Sequence, residues 1–435
     1  MQFKLGLLVV LKRVIFSLLP FLFSASLQAE ERKKSKAEEM ATAGAKAPIK
    51  ELGALGKTTN AIEDVISSYI IKDEKYINYI REIREYHLMV REQLFDTNHP
   101  IKFKLFAIFD KVEAFCSSNT STLYAYIYDQ IIATGEIAST TIISEYLNKN
   151  GSKNKWLDAR DIIRTDNHYT DARIDWAKTQ KLAKENNSIK ENELIITQGF
   201  IGATKERNTT TLGREGSDFS GAIFANVLEA EKLIIWKDVK GVYNTDPNVC
   251  DEAIFLEKIS YKEATEMTYY GAKVIHPKTI RPLQNKDINL EVRSFLNPIE
   301  QGTLIFSSSE KISYPPIVVQ KNKQVLLSFS SKDFSFTEAE NLRMILKSFD
   351  EHRLKINIIQ TGAITLSVVI DNKPEKINQV KKELSENFEI RFNNNLTLLT
   401  IRHYDYYTIE KYLRNKLVLL EQKTRETLQV LMRDE

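Results

Sequence analysis

The apolar positions of this chain change their period twice, and those changes divide it. From about residue 52 to 150, segments such as AIEDVISSYI and YINYIREIREYHLMVREQLF repeat apolar residues every three to four positions, which predicts long amphipathic helices. Residues 192–202, NELIITQGFIG, form a short β-branched run ending in glycine. KLIIWKD at 232–238 is another, with a helix-like segment between them. Strand, glycine turn, helix, strand is the rhythm of a βαβ unit. It predicts an α/β protein, a three-layer αβα sandwich on a mainly parallel sheet. Ligands in such sheets collect at the carboxyl ends of the strands, where Gly199, Gly202 and Asp238 fall.

Near residues 306–320, FSSSEKISYPPIVVQ, serine, proline and charge replace the pattern and mark a boundary. Beyond it VLLSFSSK (325–332) alternates. Thr337 and Glu340 have capping-box spacing, and Leu342, Ile345, Leu346 and Phe349 line one helical face. INIIQTG and ITLSVVID then read as paired strands, followed by a helix at 374–388 and a strand at 397–403. This βαββαβ order predicts a ferredoxin-like module, and the last segment supplies a further helix and strands.

Composition removes several classes of function. A net charge of +3, with basic residues interleaved among acids, gives no electrostatic footprint for nucleic acid. Cys116 and Cys250 lie far apart without metal-ligand spacing, so both are expected to be small buried hydrophobes in a protein of a reducing compartment. The opening MQFKLGLLVVLKRVIFSLLPFLFSASLQAEE has the outline of a secretory signal. Its apolar run is too short, and is interrupted at Pro20, for a membrane span. Residues 31–50, rich in Lys, Glu and Ala, read as a linker or solvated helix.

The most informative string is TTLGREGSDFSGAIFANVLEAE (210–231), a Gly-bracketed turn running into a helix. Gly213 and Gly216 permit positive φ and close backbone approach. Ser217 or Asp218 can cap the helix, and the first-turn amides would face an anion. Arg214 adds a planar donor fork suited to carboxylate or phosphate.

Six further strings stand in order around it: LGALGKTTNAIEDV (52–65), ATGEIAST (133–140), WLDARDIIRTD (156–166), ITQGFIGAT (196–204), IIWKDVKGVYNTDP (234–247) and GAKVIHPKTIRPL (271–283). In their order and spacing the chain resembles the aspartate kinases of the amino-acid kinase fold, over about residues 52–435. That resemblance implies a catalytic domain at 52–306 and ACT-type regulatory domains at 320–435. It implies ATP and Mg²⁺ as cofactors, and phosphoryl transfer to the side-chain carboxylate of L-aspartate. A homo-oligomer in the cytoplasm, with lysine or threonine as feedback effector near 356–367, is implied as well; no nucleic acid or membrane partner is expected.

Residue by residue, the resemblance makes Glu136 the partner of the substrate α-amino group and Thr59 a substrate contact. Arg214 becomes the carboxylate clamp, with Ser217 and Ser139 in support. Asp218 matches the catalytic aspartate that organises a phosphate-contacting lysine. Lys237, Asp238, Tyr243 and Lys273 match nucleotide contacts, although Lys237 stands where a hydroxyl residue is common. His276 is expected to be structural, because no proton need leave an ionised carboxylate. No Walker A or protein-kinase signature is present.

Lys4 and Gly6 are in register with the Lys-Phe-Gly-Gly turn that opens such kinases, and Lys4 would neutralise the moving phosphoryl group. Leu5 and Leu7 depart from the turn, and nothing recognisable follows until Leu52. The interval from Lys4 to Lys57 is nonetheless the usual one. Right ends around an unrelated middle are what two compensating reading-frame slips in residues 5–51 would leave. The expectation is then an aberrant N-terminal segment at 1–51, sheet strands missing, and little activity. The competing expectation is a catalytically impaired paralogue that still binds an amino acid.

Overall fold

The computed structural model describes residues 8–9, 55–191, 194–272, 275–310, 312–332 and 339–434. Lys4, Thr337, Lys273 and most of the aberrant segment expected at 1–51 lie outside them. The chain forms two compact units. The first runs to Val242 and takes in Glu257–Lys262 and Ile275–Ser309; the second combines Tyr243–Leu256 and Glu263–Val274 with Glu310–Glu435.

In the first unit the amphipathic stretch forms helices α1 (Leu55–Ile70), α2 (Lys75–Leu94), α3 (Ile101–Ser118) and α4 (Tyr124–Lys149). Their apolar residues recur at helical spacing and bury one face each. Ile101, Leu105, Phe109, Val112 and Cys116 of α3 meet Ile62, Val65 and Ile66 of α1 and Ile127, Ile131 and Ile142 of α4 in one core. Arg91 closes the end of α2, donating to the carbonyls of Asp96 at 2.7 Å and His99 at 3.3 Å. Burial pushes the Cys116 thiol up to about 12, so it behaves as an inert hydrophobe. Cys250 is only half-buried, unlike the expectation for it.

The main sheet contains β1 (Leu8–Val9), β6 (Lys232–Lys237), β7 (Lys258–Ser260), β8 (Asn289–Ser294) and β9 (Thr303–Phe306), in the order β1-β6-β8-β9-β7. Pairs β6/β8 and β7/β9 are parallel; β1/β6 and β8/β9 are antiparallel. The sheet is therefore mixed, where a mainly parallel one was expected. The connection Phe295–Gly302 is too short for a crossover helix, and strands joined so briefly must run antiparallel. Gly302 is required there: a Cβ would lie 2.0 Å from the Val292 carbonyl oxygen.

The run expected as one strand at 192–202 is broken into β3 (Ile195–Thr197), parallel to β2 (Lys155–Leu157), and β4 (Ile201–Ala203), which forms a hairpin with β5 (Thr209–Thr211). Buried Gln198 causes the break. It accepts from Ala159 N at 2.8 Å and donates to Thr140 Oγ1 at 3.1 Å, and Phe200 then turns with φ 49°. Helices α5 (Trp176–Glu185), α6 (Gly216–Val227), α7 (Tyr261–Tyr270) and α8 (Pro277–Gln284) follow along the chain. A second core joins Leu157, Ile163, Ile201 and Leu212 to Ile223 and Phe224 of α6.

The second unit is built on β10 (Ile317–Ser331), β11 (Ile356–Thr361), β12 (Thr365–Asp371), β13 (Phe388–Arg402), β14 (Lys416–Lys423) and β15 (Thr427–Asp434), with α9 (Ala339–Glu351), α10 (Pro374–Leu384) and α11 (Tyr406–Leu413). Order β11-β12-β10-β13-β15-β14 gives one antiparallel sheet, and β10-α9-β11-β12-α10-β13 is the expected βαββαβ module. The two long strands serve two modules. Val325, Leu327 and Phe329 of β10 pack with Ile345 and Phe349 of α9 and Val380 of α10, whereas Val318 packs with Leu399, Ile401 and Val430 beside α11. Register shifts between Lys321 and Gln324 separate the halves of β10.

Arg402 fixes Glu263 of α7 to this sheet through a bidentate pair at 2.6 and 2.8 Å, with His403 at 3.0 Å. Burial alone would raise the Glu263 carboxyl, but Arg402 and His403 outweigh it and bring it down to about 2. Arg402→Ala is expected to destabilise the second unit by about 3–5 kcal/mol at neutral pH, because it takes the bidentate guanidinium from a carboxylate that stays buried. In the native protein the Glu263 contribution is complete above about pH 4.5 and disappears as pH falls toward 2. Urea unfolding of both proteins tests this; a loss below about 1 kcal/mol contradicts it. Among the described residues, no helix is long and apolar enough to cross a membrane.

Candidate active site

Four segments of the first unit meet at the carboxyl end of β6. Lys237 is the last residue of that strand, and its ammonium donates to Asp218 Oδ2 of α6 at 2.9 Å. Both side chains are about nine-tenths buried, so each charge relies on the other. Asp238, next along the chain, is exposed.

Helix α6 starts at Gly216 with Glu215 at its N-cap, φ 54°, and no side chain caps it. The expectation that Ser217 or Asp218 caps this helix is therefore wrong. The turn closes through Gly216 N donating to Gly213 O at 3.1 Å, which leaves Ser217 and Asp218 inside the first turn. There Asp218 points to Lys237 while the helix start stays open. Gly213, at φ 76°, supplies the left-handed residue this turn requires.

Ser217 lies against Gly199: a Cβ on that glycine would stand 2.7 Å from Ser217 Oγ. Gly199 N donates in turn to Glu136 Oε1 of α4 at 3.2 Å. Burial of the Glu136 carboxyl raises it to about 7, against the partial relief that this single amide gives. One residue earlier, Gly135 admits α1: a Cβ there would lie 2.9 Å from Thr58 Cγ2 and Ile62 Cδ1. Thr59, half-buried, is the next residue of that helix, so it is an internal helical residue and not a cap. The line Thr58–Gly135–Glu136–Gly199–Ser217–Asp218–Lys237 thus joins five of the sequence-selected residues or their immediate neighbours. Ser139 is buried on α4, one turn on from Glu136.

Arg214 is exposed at the tip of the Gly213 turn, and no ion pair holds it among the described residues. His276 N-caps α8, its Nδ1 accepting from Lys278 N at 3.2 Å; burial lowers its pKa, which agrees with a structural role. Tyr243 falls in the second unit, where its ring packs edge-on against Phe255 at 5.6 Å. Three buried hydroxyls on the segments of this line, Thr58, Thr197 and Ser220, have no hydrogen-bond partner among the described residues.

The family model for the amino acid kinase family matches residues 32–294. The chain belongs to the amino acid kinase family. Among this family's curated members, lysine-sensitive aspartokinase 3 of Escherichia coli is 34% identical over 247 residues, which cover 56% of this chain and 54% of that protein. Aspartokinase 2 of Arabidopsis thaliana, chloroplastic, is 29% identical over 361 residues, 80% of this chain and 65% of its own length. The chain thus spans little more than half the length of the first relative. A solved structure of E. coli aspartokinase III in complex with aspartate and ADP superposes with a TM-score of 0.71 at 25% identity, covering 86% of this chain and 87% of that one. An αβα kinase sandwich followed by a ferredoxin-like module is the fold this likeness bears out.

Two residues that frame the site in this amino acid kinase escaped the reading of the sequence. Gln198 holds the break before Gly199. Asp129 on α4 anchors β5. The signal for Asp129 was available: it is an acid on the apolar face of a helix, seven residues before Glu136.

Proposed function

We propose that this protein is an aspartate kinase, moving the terminal phosphoryl group of MgATP to the side-chain carboxylate of L-aspartate to give 4-phospho-L-aspartate, the first step toward lysine, threonine and methionine. The convergence of Glu136, Ser217, Asp218 and Lys237 through Gly199 carries the reading. A carboxylate oxygen of aspartate attacks the γ-phosphorus while the bond to the β,γ-bridging oxygen breaks, and ADP leaves; no proton has to be removed. The chain's task is to hold the reactants in line and offset charge on the moving group.

In this reading Glu136 takes the substrate ammonium, and Thr59, Ser139 and Ser217 line its path. Arg214, exposed and without an ion pair among the described residues, takes a substrate carboxylate. Lys237, steered by Asp218, brings a cation to the open start of α6, where phosphate oxygens also meet helix amides. Where a hydroxyl residue is common, Lys237 thus offers an ammonium. Asp238, Tyr243, Lys273 and Lys4 remain nucleotide or phosphate contacts on the strength of the family likeness. Mg²⁺ enters as part of the nucleotide substrate.

The test is ADP release with aspartate, glutamate and N-acetylglutamate as acceptors. Transfer to aspartate above the other two supports the proposal. Equal inactivity of soluble, folded protein with all three sinks it and leaves an impaired amino-acid-binding paralogue.

We assign catalysis to 52–306 and regulation to 320–435, with lysine, or alternatively threonine, bound in a homo-oligomer near the β11–β12 hairpin. The chain doubles back there through Gly362 N to Thr365 O at 2.7 Å. Calorimetry of the full chain is expected to give heat with one of the two amino acids; no heat with either removes this part of the reading. The two distant cysteines support placing the reaction in the cytoplasm.

A further inference from the structure

Helix α4 carries two acids on one face. Glu136 follows Asp129 by seven residues, two helical turns or about 10 Å along the axis. Glu136 belongs to the site already described, and Asp129 does not. Asp129 is wholly buried, and three donors converge on it: Thr211 N at 2.8 Å and Thr170 N at 2.9 Å on Oδ2, and Thr211 Oγ1 at 2.8 Å on Oδ1.

These donors come from the two walls of the Gly213 turn. Thr211 ends β5, two residues before Gly213 and three before Arg214. Thr170 precedes Asp171, whose Oδ1 stands 2.5 Å from where a Gly213 Cβ would be and pairs with Lys278. The walls also touch directly, Ala172 N donating to Thr211 O at 2.9 Å. Holding both walls, strand β5 and the turn at Thr170, from one carboxylate fixes where the Gly213 turn, and Arg214 on it, sits along α4. Its neighbour Gln130 grips the same strand farther from the turn, donating to Thr209 O at 2.8 Å and accepting from Thr209 N at 3.0 Å.

We propose that Asp129 is a positioning residue for substrate recognition, setting the distance between the Arg214 turn and Glu136, which rides on the same helix. The proposal rests on the aspartate kinase reading for its substrate. Asparagine keeps one oxygen for the two backbone N–H groups, but a neutral amide oxygen accepts more weakly than a carboxylate and its NH2 takes the place of the oxygen that Thr211 Oγ1 donates to, so Asp129→Asn loosens the turn while nearly preserving shape. Asp218 and Lys237 lie outside this set of bonds.

The experiment compares D129N, T211V and Q130A with the wild-type full chain. Expected for D129N is a rise of about tenfold or more in KM for aspartate, the size of one lost buried polar contact, with KM for ATP within about twofold. T211V, which removes one donor without a charge change, is expected to show a smaller rise in the same direction. Q130A is expected to leave KM for aspartate within about threefold, although it loosens β5. Equal effects on both substrates in D129N and T211V, or an effect of Q130A as large as that of D129N, would reduce Asp129 to general scaffolding and overturn the proposal. Hydrogen exchange at the Thr170 and Thr211 amides gives a readout independent of activity. If the wild type transfers no phosphate to aspartate, the functional reading fails by itself, and unchanged exchange at those amides in D129N overturns the positioning as well.

Discussion

Lys237→Met is expected to lower kcat for phosphoryl transfer to aspartate by roughly 10²–10³-fold, the usual effect of deleting one preorganised charge partner of a transition state. The substitution keeps the length and apolar stem of the side chain but removes the ammonium 2.9 Å from Asp218. It also strands the Asp218 carboxylate in a nearly dry position, where it repels the incoming phosphates. Asp218→Asn is therefore expected to be comparably damaging. The double variant should be no worse than Lys237→Met alone, because the two groups act as one unit. Steady-state kinetics on the four proteins, with thermal melts to verify folding, decide this. A kcat within about threefold of wild type in Lys237→Met, or simple additivity in the double variant, would show that the pair is a structural bridge and leave phosphate neutralisation to other cations.

The second large effect is a pH dependence of aspartate binding. Burial holds Glu136 near 7, so below that pH the group is mostly protonated and offers nothing to an ammonium. Binding then requires loss of a proton. Affinity for aspartate is expected to rise by about tenfold per pH unit below 7 and to level off above it. The same shift has the opposite sign for the free protein. Its folded state binds a proton that the unfolded chain releases near 4.5, so this contribution to stability is complete below that pH and is lost as pH rises through 7. Aspartate binding is expected to compensate by supplying a cation. Calorimetry from pH 5.5 to 8.5 in two buffers of different ionisation enthalpy would register the released proton. Glu136→Gln should flatten the profile and weaken binding by about 2–5 kcal/mol. A flat wild-type profile, or an unaltered one in the variant, removes Glu136 from ammonium recognition.

Local pattern made much of this legible. The helical period of α1 to α4 needs only the spacing of apolar residues, since each helix buries a single stripe. The glycine turn before α6 was equally readable, because Gly213 occupies backbone conformations that larger residues avoid. Selection of Glu136, Arg214, Ser217, Asp218 and Lys237 came from ordered motifs. Lys4 and Lys273 lie outside the described residues, and Tyr243 lies in the second unit.

The sequence by itself determined the periodic elements, the βαββαβ order of the C-terminal module, and which side chains have the chemistry for anion and ammonium recognition. These properties depend on a few neighbouring residues and on steric rules that act within one turn or strand. Tertiary structure decided which of those groups meet. Lys237 and Asp218 are nineteen positions apart, and Asp129 and Thr211 eighty-two. Such pairings depend on how strands align and how helices pack over them. The break at Gln198, the antiparallel return of β9 and the sharing of β10 and β13 by two modules have the same origin. In the first two a buried polar group or a short connection imposed a geometry that no local periodicity encodes, and in the third two strands of fifteen residues each are long enough to serve both modules.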